Sequence, residues 1–323
     1  MCYGLYYIDR HVMRSLVLCF VCVFALPLHA VESTTKPDFS WRQTDISIAL
    51  LNHGQMVWEH HHDRKVGKPY MRIGLLDGTE LTRPWPIPKD YPKADHTWHR
   101  ALWWSWKAIN GVNFWEENQI GTEPVEVKIT HSDDGSASIA TTIEYHLPDK
   151  APIVIEKRTI RIGKPYATGT YLIDWQATFT PSGDEDVVFN KNGYGGLAIR
   201  MAAEFCGDVN KNVTAWQFVR SKEAADLSKG ACRWMAYHGI AQNGRPVAIA
   251  MFSHPDNPRF PAFWCTRDQY PYLNPCFISK EDCTLRKEES LTLRYGVLVY
   301  QGQADTEEIE LAWKSFVDSP HPK

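Results

Sequence analysis

From Gln43 to Val299 the chain runs in short stretches of alternating apolar and polar residues, each ended by a turn signal. Period-two alternation puts one face of a strand against a core and the other towards solvent. Gln43–Leu51 and Gln55–His61 flank Asn52-His53-Gly54, and Tyr70–Leu76 and Thr79–Thr82 flank Asp77-Gly78. Val125–His131 and Ser136–His146 flank Asp133-Asp134-Gly135, and Ile153–Ile162 and Thr170–Thr180 follow around Gly163-Lys164-Pro165. Val187–Phe189, Leu197–Ala202, Arg233–Ile240, Val247–Phe252 and Leu291–Val299 continue the pattern, with one more turn at Asn243-Gly244. Many strands joined by tight turns, without alternating helices, predict an all-β fold, a large antiparallel β-sandwich. One helix is predicted at the carboxyl end. Asp305 caps it with Glu308 three residues on, and Ile309, Trp313, Phe316 and Val317 share one face. That face is expected to cover a sheet. No repeat with a period of roughly 20–50 residues interrupts the pattern, so residues 31–323 read as one domain.

The densest stretch runs from His96 to Trp115, with two histidines three apart, Arg100 beside the second, and five tryptophans. Leu102–Ala108 and Val112–Trp115 around Asn110-Gly111 predict a hairpin with a type I′ turn. Alternation places Trp104 and Trp106 on one face and Trp103 on the other. Eight of the chain's 13 tryptophans fall within the first 115 residues. So much indole surface is either packed in a core or used to grip a ligand.

The 323 residues, 44% of them hydrophobic, suffice for a substantial core, and a formal charge of −3 with no basic run offers no footprint for nucleic acid. Met13-Arg14, the apolar run Ser15–Ala25 and Leu28-His29-Ala30 read as a signal peptide over residues 1–30, with Met13 an alternative start. The expectation is an exported protein, periplasmic or extracellular, with no membrane span in the mature chain. Cys2, Cys19 and Cys22 leave with the leader. Cys206, Cys232, Cys265, Cys276 and Cys283 remain, an odd number that allows at most two intramolecular disulfides.

Four groups are candidates for chemistry. His60-His61-His62 places His60 and His62 on one face of a strand, as potential metal ligands. His96 and His99 suit general acid–base catalysis or, with a third ligand from elsewhere, a metal. Arg100 beside them suits an anionic group of a substrate. In Asn190-Lys191-Asn192-Gly193-Tyr194-Gly195-Gly196 the glycines mark a close approach, Tyr194 is a proton donor or stacking platform, and Asn190, Lys191 and nearby Arg200 are candidate substrate contacts. His254, in a Pro/Asn-rich turn, and Trp264 are a further pair for a cleft edge. Glu144, Glu156 and Asp174 lie on predicted strands and offer carboxylates whose separation the sequence leaves open. There is no Gly-x-Ser-x-Gly elbow for a serine hydrolase.

Lys68-Pro69-Tyr70, Arg83-Pro84, Asp95-His96-x-x-His99-Arg100, Asn110-Gly111-x-Asn113-Phe114-Trp115, Gly195–Arg200 and His254-Pro255-x-Asn257-Pro258 together resemble the PmoA-like family of exported bacterial proteins, which carries a methane-oxygenase label. Thr97, Trp98 and Ala101 depart from its usual His-Pro-His-His-Arg-Gly, and Asn113 stands where aspartate is common. A membrane oxygenase subunit needs several apolar spans of ~20 residues, and the mature chain has none. The resemblance implies instead a β-sandwich of the mutarotase-like, supersandwich type found in polysaccharide-degrading bacteria.

The expected function is thus an exported carbohydrate-active enzyme, a glycoside hydrolase or polysaccharide lyase acting on a poly- or oligosaccharide. His96, His99 and Tyr194 would supply acid–base chemistry, and Arg100, Trp103, Trp104, Asn190, Lys191, Arg200, His254 and Trp264 would contact substrate. No cofactor is required. The alternatives are a non-catalytic sugar-binding protein and a metal-dependent enzyme ligated by His60, His62, His96 and His99.

Overall fold

The computed structural model describes residues 36–92, 94–116, 121–205, 217–222, 230–241, 244–267, 271–302 and 305–322. The predicted leader, Cys206 and Asn243 lie outside the described residues. A nine-stranded sheet has the order Phe39–Gln43, Ser47–Asn52, Gln55–His61, Tyr70–Ile73, Leu102–Trp106, Gly195–Arg200, Tyr272–Pro275, Ala262–Arg267, Ala231–Cys232. An eight-stranded sheet has the order Gln217–Arg220, Trp234–Ile240, Pro246–Ser253, Leu291–Gln301, Tyr171–Pro181, Val154–Ile162, Ala137–His146, Gly121–His131. Val187–Phe189 pairs separately with Cys283–Leu285. The strands pair antiparallel, as in Tyr171–Pro181 between Val154–Ile162 and Leu291–Gln301. The fold is the large antiparallel β-sandwich with a carboxyl-terminal helix.

Alternation builds the layers. Ala137–His146 is buried at every second residue, and Ile139, Ile143 and Tyr145 point into the space between the sheets. From the facing sheet come Ile48, Trp58, Trp104 and Trp106. The Trp104 ring lies 5.6 Å from both Phe179 and Tyr295 of the opposite sheet. Tyr171 Oη crosses the same gap to donate to the Gly74 carbonyl at 2.8 Å. One buried ion pair sits in this core: Arg158 Nε donates to Glu156 Oε1 at 2.6 Å, and Tyr145 Oη to Glu156 Oε2 at 2.6 Å.

The helix Thr306–Asp318 starts at Asp305, whose side chain accepts from the Glu308 amide while Glu308 reaches back to the cap. Ile309, Trp313 and Phe316 are buried against Trp234, Ala236, Ala248, Ala250, Phe252 and Leu298, on the side of the eight-stranded sheet facing away from its partner. The three alanines let the helix approach closely. Gly296 belongs to the same contact, because a Cβ there would stand 2.9 Å from Phe252 and 3.2 Å from Phe316.

Three expectations need correction. Asn110 and Gly111 do form a left-handed turn (φ 49° and 76°), closed by the Ile109–Val112 bridge. Val112–Trp115, however, does not pair with Leu102–Trp106, whose neighbours are Tyr70–Ile73 and Gly195–Arg200. Asn113 Oδ1 accepts from the Trp115 and Glu116 amides at 2.9 and 3.2 Å, curling the chain away. Glu156 and Asp174 also fail as a catalytic pair, since Glu156 is neutralised by Arg158 in the core and Asp174 by Arg294 on the opposite face of the sheet. Finally, Phe39–Gln43, Gln217–Arg220, Ala231–Cys232, Ala262–Arg267, Tyr272–Pro275 and Cys283–Leu285 are strands that the alternation left unmarked. Cys276 and Cys283 are free thiols.

Candidate functional site

Strand Leu102–Trp106 positions the site by dividing its side chains. Leu102, Trp104 and Trp106 enter the core between the sheets, whereas Trp103 emerges on the other face. There it joins Tyr70, Ala101, Trp115, Ala198 and Tyr272, with Trp85, Trp98, Tyr194 and Cys265 as a partly exposed rim. His99 is set into this aromatic floor. Its ring lies 5.2 Å from Trp103, 5.3 Å from Tyr272 and 5.6 Å from Trp115, and His96 stacks on it at 4.9 Å.

Two buried arginines hold the histidine segment. Arg83 Nη1 donates to the Asp95 carbonyl at 2.7 Å, and its Nη2 to the carbonyls of His96 and His99, each at 2.7 Å. Arg200 Nη2 donates to Asp95 Oδ1 at 2.9 Å, and its Nη1 meets His99 Nδ1 at 3.4 Å. This framework keeps His96 at φ 45°, a left-handed conformation that non-glycine residues hold only where the surroundings enforce it. Lys68 (φ 44°) is tied in as well, its Nζ donating to the Trp115 carbonyl at 2.7 Å.

The electrostatics separate the two histidines. Burial, then the charges of Arg200 and Arg83, push His99 down to about 2. A guanidinium can only donate, so His99 Nδ1 is the acceptor and the ring proton resides on Nε2. His99 is therefore a neutral hydrogen-bond donor and a poor general base at neutral pH. His96 has Nδ1 3.1 Å from Asp95 Oδ2 and a ring that is 35% exposed. Burial works to raise the Asp95 pKa, but Arg200 and His96 outweigh it and hold the carboxyl below its usual value. An oriented, accessible imidazole backed by a carboxylate is suited to proton transfer.

The rim is stiffened by stacking. The Arg100 guanidinium lies 3.4 Å from the Trp85 ring centre and 5.4 Å from that of Tyr70. Tyr70 Oη donates to the Trp85 carbonyl at 2.9 Å, and burial raises its pKa to about 12. Tyr194 leans on Trp115 at 5.7 Å, with its amide bound to Asn192 Oδ1 at 2.7 Å. The glycine that follows, Gly195, has no space for a side chain: a Cβ would meet Ile278 at 2.8 Å.

The fold thus brings together His96, His99, Arg100, Trp103, Tyr194 and Arg200. It separates others. Trp104 is fully buried between the sheets and belongs to the core, not to a ligand surface. Asn190 Oδ1 accepts from the Gly111 amide at 2.8 Å, which makes it a brace for that turn, and the amide of exposed Lys191 binds Asp282. Trp264 packs against the inter-sheet core and donates its indole N–H to the Cys232 carbonyl at 2.9 Å. His254 lies at the end of the eight-stranded sheet, against Phe316 of the helix. His60 and His62 stack on each other at 5.6 Å, with His60 fully buried beside core residues, so the four-histidine metal set is divided between two sides of the sheet. Burial holds both below the ordinary histidine value.

Tyr70, Arg83, Trp85, Asp95, Trp115 and Tyr272 complete the cluster without having been candidates on residue type. Lys68–Tyr70, Arg83, Asp95 and Trp115 did stand among the motifs carrying the family resemblance. Tyr272 had no signal, because its place depends on a strand that sequence alternation did not mark.

These features define an all-β sandwich protein with a histidine–arginine cluster on an aromatic sheet face. The chain belongs to the Family of unknown function (DUF6807), whose profile matches residues 47–314. No curated protein matches it significantly in sequence. Similar solved structures include the GH36 alpha-galactosidase AgaA from Geobacillus stearothermophilus, at 10% identity and TM-score 0.37, matching 82% of this chain and 41% of that one. The heparan sulfate lyase HepC from Pedobacter heparinus has 10% identity and TM-score 0.36 over 80% of this chain and 34% of its own. A galactose mutarotase related enzyme from Lactobacillus acidophilus has 8% identity and TM-score 0.31, over 83% of this chain and 99% of its own. This chain spans about two fifths of the galactosidase's length. Among the described residues, no helix is long and apolar enough to cross a membrane.

Proposed function

We propose that the outer-face cluster binds an anionic saccharide and cleaves it by β-elimination, with His96 as the proton-abstracting base. The observation that carries this reading is the Asp95–His96–His99 arrangement: an accessible imidazole with a carboxylate at 3.1 Å, stacked on a second one whose burial and neighbouring guanidinium charges oppose its protonation. Among the described residues of the cluster, Lys68, Arg83, Arg100 and Arg200 set four positive charges against the carboxylate of Asp95. That excess favours a substrate carrying a carboxylate, such as a uronic acid. His96 would take the proton α to the carboxylate, His99 Nε2–H would donate to the carboxylate as it gains enolate character, and Tyr194 would protonate the departing glycosidic oxygen. Trp85, Trp98 and Tyr194 offer partly exposed aromatic faces to the sugar rings. Arg100 acts through Trp85, which it pins from behind. The leader read in residues 1–30 would place this activity outside the cytoplasm, and the PmoA-like resemblance fits such a setting without any oxygenase chemistry.

The test is a panel of uronate-containing oligosaccharides, followed by the ultraviolet absorbance of the unsaturated product. Turnover is expected for the wild type and lost in His96→Ala with ligand binding retained. Turnover that survives unchanged in both His96→Ala and His99→Ala removes the assignment. Binding without turnover in the wild type makes the protein a sugar-binding one.

A further inference from the structure

Away from that face, just past the end of strand Pro246–Ser253, His254, Asp256 and His321 meet. We propose that these three residues bind a divalent transition-metal ion, which ties the carboxyl-terminal tail to the turn after strand Pro246–Ser253. Their ligand atoms all lie within 4.8 Å of one another. Asp256 Oδ2 is 3.6 Å from His254 Nδ1 and 3.2 Å from His321 Nε2. Ligands bound tetrahedrally at 2.0–2.1 Å stand about 3.3 Å apart, so two of the three edges already have the required length.

The tautomers carry the argument further. Gln176 Nε2 donates to the Pro322 carbonyl at 3.1 Å, which orients the amide and leaves Gln176 Oε1 as an acceptor. His321 Nδ1, 2.8 Å from that oxygen, must then be the donor, and in the neutral ring His321 Nε2 turns a lone pair towards Asp256. His254 Nδ1 accepts the Asp256 amide at 3.2 Å, so its proton is on the buried Nε2 and its lone pair faces the same carboxylate. Two imidazole lone pairs and a carboxylate oxygen repel one another unless a positive charge lies among them. Donation from the far nitrogen of His321 to Gln176 Oε1 is also the outer contact that metal-bound histidines usually make. The nearby cation Arg294 is neutralised, its Nε and Nη2 bound to Asp174 at 3.0 and 2.8 Å.

Two imidazoles and one carboxylate suit zinc or another first-row divalent ion. The His254 side chain is buried, whereas those of Asp256 and His321 are 71% and 46% exposed, so the remaining coordination positions face solvent. Residues 320–322 are also held by the Pro320 carbonyl to Arg161, the Pro322 carbonyl to Gln176 and the His321 side chain to Gln176 Oε1. The ion would make that attachment firm.

The full chain, without a histidine tag and stripped of metal, is titrated with zinc and with cobalt(II). One equivalent is expected to bind, to raise the melting temperature and to give cobalt a visible spectrum. His321→Ala and Asp256→Ala alter exposed groups and leave the core intact; each is expected to weaken binding at least 100-fold and to abolish the thermal shift. Gln176→Ala is expected to weaken it by roughly 10–100-fold. Equal binding by the His321→Ala/Asp256→Ala double variant overturns the proposal. So does a wild type that binds neither ion.

Discussion

Arg200 Nη1 stands 3.4 Å from His99 Nδ1, and because a guanidinium has no lone pair, this contact determines which nitrogen of the imidazole is protonated. It also divides labour between the adjacent histidines. His99, buried and surrounded by cations, donates a fixed N–H. His96, more exposed and 3.1 Å from Asp95, is the one proposed to move a proton.

His99 is therefore expected to remain the neutral Nε2–H tautomer from about pH 5 to 8, because burial and two guanidinium charges oppose protonation. Nitrogen-15 NMR of labelled histidine reads this directly. In Arg200→Met one charge is removed and the His99 pKa rises, while burial keeps it below 6.5. A wild-type His99 that titrates near neutrality contradicts this account of the site.

Stability should fall as the medium is acidified from neutral. His60 and His99 have folded pKa values well below 6.5, so below that pH the unfolded chain binds protons that the folded chain refuses. Each such group removes up to about 1.4 kcal/mol per pH unit as pH drops. Below pH 4.5 Glu59, lowered to about 2 mainly by its hydrogen bond with His61, acts in the same direction. Urea midpoints measured at pH 7.5, 6.5 and 5.5 should decrease in that order. A flat profile would show that these histidines are not held neutral in the fold.

The tryptophans should separate by layer. Trp104→Ala opens a cavity between the sheets and is expected to cost about 3–5 kcal/mol. Trp85→Ala, at the rim, should leave the urea midpoint nearly unchanged and weaken saccharide binding about tenfold or more. Trp103→Ala should do some of both, as it lies under His99. Denaturation and calorimetric binding on the three variants decide the matter, and equal losses of stability in all three would refute the layering.

Glu156→Gln leaves the Arg158 charge in the core with a neutral partner and should destabilise the fold by about 3–5 kcal/mol. Both side chains of the pair are fully buried. Saccharide turnover per folded molecule should be unaffected, which distinguishes this carboxylate from a catalytic one. Loss of turnover at full stability would return Glu156 to the reaction.

Local chemistry in the sequence was enough for most of the architecture. The alternation in Ala137–His146, the left-handed turn at His53-Gly54 (φ 48° and 78°) and the capping box at Asp305 and Glu308 are each decided by neighbours within a few residues. Trp103 and Trp104 were correctly assigned to opposite faces for the same reason. Which face meets the other sheet is a different matter, since that depends on strands far apart in the chain. Tertiary packing alone buried Trp104 in the core and laid Trp264 against it, set His60 and His62 apart from His96 and His99, and turned Glu156 into a core ion pair. It also brought Arg83 and Arg200 to the same five-residue segment, Asp95–His99, and His321 to His254. The contacts of Arg83 and Arg200 with that segment join residues 12 to 105 positions apart in the chain, and only the closed sandwich brings them within reach of one another.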